Sequence, residues 1–291
     1  MMRRHLLLLA LPAVACRSDQ AINELHFDNV AVATGDFDRV EEALDRNAVT
    51  NTEFEGYIYQ PVYAEDVDPS TYALTTETLF TGTNAEGDPQ MFDFDAVFLN
   101  SGTRGMGQYA YNSLESDDSL VTNAAAVTNL QDFVARKRTV VVTDWAYDMV
   151  ETAWPDAITF LGEADGLDAA QVGTSDSVVA DVTNTDLAAA LGNQQLEVFF
   201  DFSHWSVIED AGPDATVWLR GNVEYRASGG EGYATLEDVP LLVSFPVGSG
   251  LVIFSSFSWR AQRSQVSDIL LSTLIEGFGE GAVKTSGGSG A

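Results

Sequence analysis

Cys16 is the only cysteine in this chain of 291 residues. No intramolecular disulfide can form, and the body of the chain holds no thiol for nucleophilic chemistry or thiolate–metal ligation. Lysine is almost as scarce: of 14 basic residues only Lys137 and Lys284 are lysines, against 44 acidic residues and a formal net charge of −30. A surface of that sign repels phosphate backbones and excludes nucleic acid as a partner class. Acid excess with so little lysine fits adaptation to high salt, where a short Debye length screens self-repulsion; an ordinary acidic exported protein fits the same numbers. There is no P-loop, no G-x-S-x-G and no twelve-residue EF-hand loop.

What the sequence does have begins at its first residues. In "MMRRHLLLLALPAVAC" a basic end (Arg3, Arg4) precedes a short apolar run, Leu6 to Val14, and a small residue before Cys16. This is the layout of a secretory signal, shorter than a membrane-spanning helix requires. The segment Ala13-Val14-Ala15-Cys16 resembles a bacterial lipobox, with Ala13 where Leu is usual. It implies that residues 1–15 are a signal peptide and that Cys16 becomes a lipidated N-terminus, leaving residues 16–26 as a tether. The expected location is exported and lipid-anchored to a bacterial membrane, on its periplasmic or cell-surface face. A plain secretory signal with an incidental Cys is the alternative.

With 45% hydrophobic residues, the chain can form one large α/β domain, placed here at residues 27–278, with "GEGAVKTSGGSGA" (279–291) as a loose tail. "FDNVAVATG" predicts a buried strand ending at Gly35. Asp38-x-x-Glu41 has capping-box spacing before a helix bearing Val40, Ala43 and Leu44 on one face. "EFEGYIYQPVY" alternates as a second strand would, and residues 64–90 read as a loop with at most one short hairpin. A strand at Ala96–Asn100, a helix over 119–135 and a strand at Val140–Thr143 follow. Strands and helices alternating at this spacing predict a doubly wound, mainly parallel sheet. The later half is β-rich: "ITFLG", "LEVFFDFSHWSVI" and "TVWLRGNVEYR" read as strands, and "PLLVSFPVGSGLVIFSSF" as a hairpin turning at Gly248-Ser249-Gly250. A last helix carries Val266, Ile269, Leu270, Leu274 and Phe278.

Three stretches, "FDAVFLNSG", "VVVTDWAYDMVETAWP" and "VGSGLVIFSSFSWRAQ", together resemble the class I glutamine amidotransferase-like superfamily, including its trehalose-utilisation-type and exported uncharacterised branches. The resemblance covers roughly residues 27–278 and implies a flavodoxin-like fold. In active members a Cys occupies the turn after the strand matching "VVVT"; Asp144 falls nearest that position here. Ser258 stands nearest the place of their catalytic His. Neither residue runs thiol amidotransfer, so the resemblance implies an inactive domain with no cofactor, acting as a binding or assembly module for an envelope protein or small-molecule ligand.

Other readings of the same residues remain open. Asp144 could serve as an acid, base or nucleophile, or cap the helix starting near Tyr147; Trp145 and Trp154 are expected to pack that helix on the sheet. His204 neighbours Asp201 and Ser203, and a triad with Ser101, Ser255 or Ser256 would make the protein an envelope hydrolase. Asp36–Asp38, Asp93–Asp95 and Glu65–Asp68 are oxygen-rich, but in a chain this acidic they are read as solvated faces, with no metal assigned. If a ligand binds, the expected place is the crest at the carboxyl ends of the parallel strands: Thr34, Gly35, Asp36, Asn100, Ser101, Gly102, Arg104, Asp144 and Trp145.

Overall fold

The computed structural model describes residues 29–57, 74–106, 119–162, 167, 169–203, 205–227 and 232–281. The signal segment, Cys16, the tether, His26, the Glu65–Asp68 run and His204 lie outside the described residues. In chain order the first elements are β1 (Val30–Ala33), α1 (Val40–Arg46), β2 (Asn51–Phe54), α2 (Thr76–Thr81), β3 (Ala96–Leu99), α3 (Ala124–Ala135), β4 (Thr139–Thr143) and α4 (Tyr147–Ala153). There follow β5 (Ile158–Phe160), β6 (Ser177–Val182), α5 (Thr185–Leu191), β7 (Gln195–Phe199), β8 (Ile208–Ala211), β9 (Thr216–Arg226), β10 (Tyr233–Val247), β11 (Gly250–Ser255) and α6 (Ser264–Gly281).

One nine-stranded sheet carries the order β2-β1-β3-β4-β11-β10-β9-β6-β7, and β5 pairs with β8 in a separate ribbon. Strands β2, β1, β3, β4 and β11 run parallel; each pairing beyond β11 is antiparallel. β1, β3, β4 and β11 are largely apolar runs because both of their faces are covered, while the edge strand β2 is polar and only partly buried. Val30 and Val32 of β1 join a core with Val40 and Leu44 of α1 and Leu270 of α6. Ala31 and Ala33 point the other way, into a core with Leu130 and Phe133 of α3 and Val150 of α4. Strand period two thus assigns alternate residues to opposite faces, each with its own helices.

The β-rich later half joins the same sheet, so the parallel order stops at β11 and the sheet is mixed. Within it, "LEVFFDFSHWSVI" holds most of β7 and reaches β8 only at Ile208, and the two strands belong to different sheets. Strand β6 and helix α5 carried no expectation from the sequence; Asn184 caps α5 by accepting from the N–H groups of Asp186 and Leu187. The supposed loop at 64–90 contains α2, capped by Thr75, whose hydroxyl accepts from Thr78 N–H and whose turn buries Leu79 and Phe80. Helix α3 starts later than 119 because Asn123 takes the capping role, accepting from Ala125 and Ala126. The hairpin turn falls as expected, Val247 pairing with Gly250 across Gly248-Ser249. Helix α6 runs to Gly281, three residues into the stretch expected to be tail.

Candidate functional site

Every parallel strand ends at the same edge, and the chain leaving β1 and the chain leaving β3 turn to opposite faces there. That divergence is where open α/β sheets place ligands, and here the two loops are stitched together. Phe37 N–H donates to Ser101 O (3.1 Å) and Asp36 N–H to Gly102 O (3.4 Å). The Thr103 hydroxyl reaches Thr34 O (3.0 Å), and Thr34 Oγ1 accepts from Gly56 N–H (3.0 Å). Arg104 N–H donates to Gly56 O (2.7 Å) while its side chain lies exposed. The nine crest residues therefore do come together. Of them only Asp36 and Arg104 are not buried.

Gly35 makes that closure possible. A Cβ there would lie 2.2 Å from Ser101 O and 3.0 Å from Asn100 O, both backbone atoms that cannot swing aside. Gly35→Ala is expected to cost about 3 kcal/mol, the upper end of overpacking penalties, read as a lowered urea midpoint at unchanged slope.

Asp144 follows β4 with φ of +45°, the left-handed region that a non-glycine residue rarely enters. The backbone thus turns sharply there, but the side chain does not cap the following helix. The cap residue of α4 is Ala146, with no side-chain hydrogen bond. Instead Asp144 Oδ1 accepts from Ser206 N–H (3.0 Å) and Oδ2 from the Ser101 hydroxyl (3.3 Å). The capping reading fails because a remote loop offers an N–H that would otherwise be buried unpaired. Ser206 returns a bond from its hydroxyl to Asp144 O (3.2 Å). Burial pushes the Asp144 carboxyl well above its usual range, against the lowering effect of the Ser206 and Ser101 bonds.

A second buried carboxylate, Asp38, is tied to the loop after β11. It accepts from the N–H groups of Arg39 (2.7 Å), Trp259 (3.1 Å) and Arg260 (3.0 Å) and from the Ser258 hydroxyl (3.1 Å). The Ser258 hydroxyl lies 3.1 Å from both Asp38 Oδ1 and Phe37 O. Burial raises the Asp38 carboxyl, with these N–H donors pulling the other way. The capping box expected of Asp38 and Glu41 does not form: α1 is capped by Arg39 without a side-chain bond, and Glu41 accepts from Asn100 Nδ2 (2.8 Å) and Tyr57 OH (3.4 Å). Burial lifts Glu41 to about 7 and Tyr57 to about 12.

No family model matches the sequence, and no curated protein matches it. Solved structures resemble it over most of its length. A ThuA-like protein from Bacteroides uniformis is 11% identical, with a TM-score of 0.48 over 86% of this chain and 90% of that one. A GMP synthase-like protein from Thermoplasma acidophilum is 8% identical, with a TM-score of 0.45 over 87% and 94%. Both are class I glutamine amidotransferase-like folds. The N-terminal domain of mmIFT52 is 11% identical, with a TM-score of 0.49 over 87% and 98%. The likeness is one of fold.

His204 lies outside the described residues, so the triad candidates are placed without it. Ser255 Oγ accepts from Trp259 Nε1 and donates to Phe257 O; Asp201 is half-buried and Ser203 exposed. Asp93 accepts from Asn84 and Gln90, and Asp95 from Asn29, while Asp36 and Asp38 differ in burial; among the described residues no group of three or more His, Cys, Asp or Glu could hold a metal. Trp145 lies against Tyr147 (5.4 Å) and Trp154 against Phe245 of β10 (5.7 Å). What sequence reasoning missed is Ser206, Thr143 and the roles of Asp38 and Glu41. The spacing of Asp38 and Glu41 marked them as a pair, for the wrong partner groups.

Proposed function

We propose that this protein is an exported, membrane-anchored lipoprotein whose doubly wound, amidotransferase-like domain is catalytically inactive and serves as a binding or assembly module at the cell envelope. The observation that carries the reading is the state of the elbow. In an acyl-transfer site built on such a turn, the N–H of the residue after the nucleophile stands ready to cradle an oxyanion. Here that residue is Trp145, and its N–H donates to Ser101 Oγ (3.3 Å). Ser101 in turn bonds Asp144, and its own N–H is taken by Thr143 Oγ1 (2.8 Å). Donor, acceptor and would-be nucleophile satisfy one another, and Asp144 is only 5% exposed.

The competing reading, an envelope hydrolase using Asp144 or His204, draws on the raised Asp144 carboxyl, a property suited to a general acid. Against it stands the same burial, which leaves the group no opening onto a substrate among the described residues. Two or three acyl chains on Cys16 would hold the chain on a bilayer, at about 0.8 kcal/mol per buried methylene. Mass spectrometry of the native N-terminus should find a lipidated Cys16, and Cys16→Ser should move the protein from the detergent phase to the aqueous phase. A freely soluble native protein beginning beyond Cys16 overturns the anchor.

A further inference from the structure

Two buried polar groups at the crest are short of partners, and they face each other. Asn100 follows β3 and is wholly buried, yet its Oδ1 makes no hydrogen bond. Its Nδ2 donates to Glu41 Oε2 (2.8 Å), which turns the amide end of the side chain toward the Glu41 carboxyl. Glu41 is only 6% exposed. Besides its own N–H and Asn100, its donor is Tyr57 OH at 3.4 Å. Among the described residues no basic side chain pairs with it: Arg39, two positions earlier, lies over the Tyr57 ring at 6.0 Å and pairs with Glu42 at 3.8 Å.

A buried carboxylate is held by N–H donors or by a positive charge. Asp38 takes the first course, accepting from the N–H groups of Arg39, Trp259 and Arg260. Glu41 lacks such a set, and beside it stands a carbonyl oxygen with no donor at all, an arrangement that an ion satisfies. Asp38 and Glu53 add their negative field at the same carboxyl. One carboxylate and one neutral amide oxygen carry too little charge for Ca²⁺, which draws on six to eight oxygens and several carboxylates; they balance a single positive charge. We propose that the Glu41–Asn100 pair is a binding site for a monovalent alkali cation, sodium or potassium, with Glu41 supplying the charge and Asn100 Oδ1 a neutral ligand. The inference needs neither the lipid anchor nor the inactive elbow, and it gives the crest a first ligand class.

Full-length protein and its Glu41→Gln variant are melted at pH 8 in NaCl, in KCl and in tetramethylammonium chloride, at one ionic strength so that general screening is the same. Tetramethylammonium carries the same charge but is too bulky to be coordinated by the pair. The reading is the rise in melting temperature from tetramethylammonium to the better alkali salt, wild type minus variant, which removes any salt effect on the rest of the surface. A difference of about 2–4 °C is expected, the size of a weakly held ligand in a domain this large. No difference between wild type and Glu41→Gln overturns the site. Sodium-23 relaxation gives a second reading that does not depend on the variant folding. The wild-type protein should retain excess sodium relaxation after tetramethylammonium has displaced the diffuse ion atmosphere, and its complete loss under those conditions also overturns the site.

Discussion

Asp144→Ala is expected to destabilise the protein by about 2–4 kcal/mol, more than the 0.5–2 kcal/mol of a lost helix cap. The substitution strands Ser206 N–H in a site with no water-facing alternative and removes the acceptor of the Ser101 hydroxyl. It also keeps a Cβ at φ of +45°, so no backbone strain is recovered. Asp144→Asn should lose no more than about 1 kcal/mol, because Asn tolerates left-handed backbone. Its Oδ1 can still accept from Ser206, and its amide can donate to Ser101 Oγ. Urea denaturation of the three proteins at one salt concentration measures the series. Equal stability of wild type and Asp144→Ala would show that the carboxyl holds nothing together.

Stability should also fall as pH rises from about 5 to 8. Glu41 is protonated in the folded state until about pH 7 but ionises near 4.5 when unfolded. Its contribution is full below the unfolded value and is lost as pH climbs through the folded one. A shift of that size corresponds to at most about 3 kcal/mol. Asp38 and Asp144 are raised in the same direction by burial and steepen the fall. Glu41→Gln mimics the protonated form, keeps an acceptor for Asn100 and carries no buried charge. It should match wild type at pH 5 and exceed it at pH 8, by up to about 3 kcal/mol. Thermal melts at the two pH values check this; parallel pH profiles for the two proteins would rule out Glu41 as the titrating group.

The parallel strands of this fold were legible because burial on both faces forces short, uninterrupted apolar runs such as "VAVA", "AVFL" and "TVVVT". Their parallel direction followed from strands alternating with helices. What escaped was set by long-range partners. Asp38 looks like a cap in sequence, yet its bonds go to Trp259 and Arg260, more than two hundred residues on. Asp144 looks like a cap for the same reason, and its decisive donor is the N–H of Ser206. Alternation in "LEVFFDFSHWSVI" gives no sign that the chain leaves one sheet for another between β7 and β8, because periodicity reports burial on a face and not which neighbour supplies it. Helix α2 was hidden by Thr-rich composition, since Thr weakens a helix interior but caps it well.

That the elbow is structural and not chemical is tested most directly by turnover. Purified full-length protein and its Asp144→Asn variant are incubated with glutamine, and then with a panel of amide and ester substrates, while ammonia and acid release are followed. With no thiol in the body of the chain and the Trp145 N–H already engaged by Ser101, both proteins should release no more than buffer does. Ammonia from glutamine, or hydrolysis of any panel substrate by wild type that Asp144→Asn abolishes at unchanged stability, would contradict the inactive domain and establish an enzyme in its place.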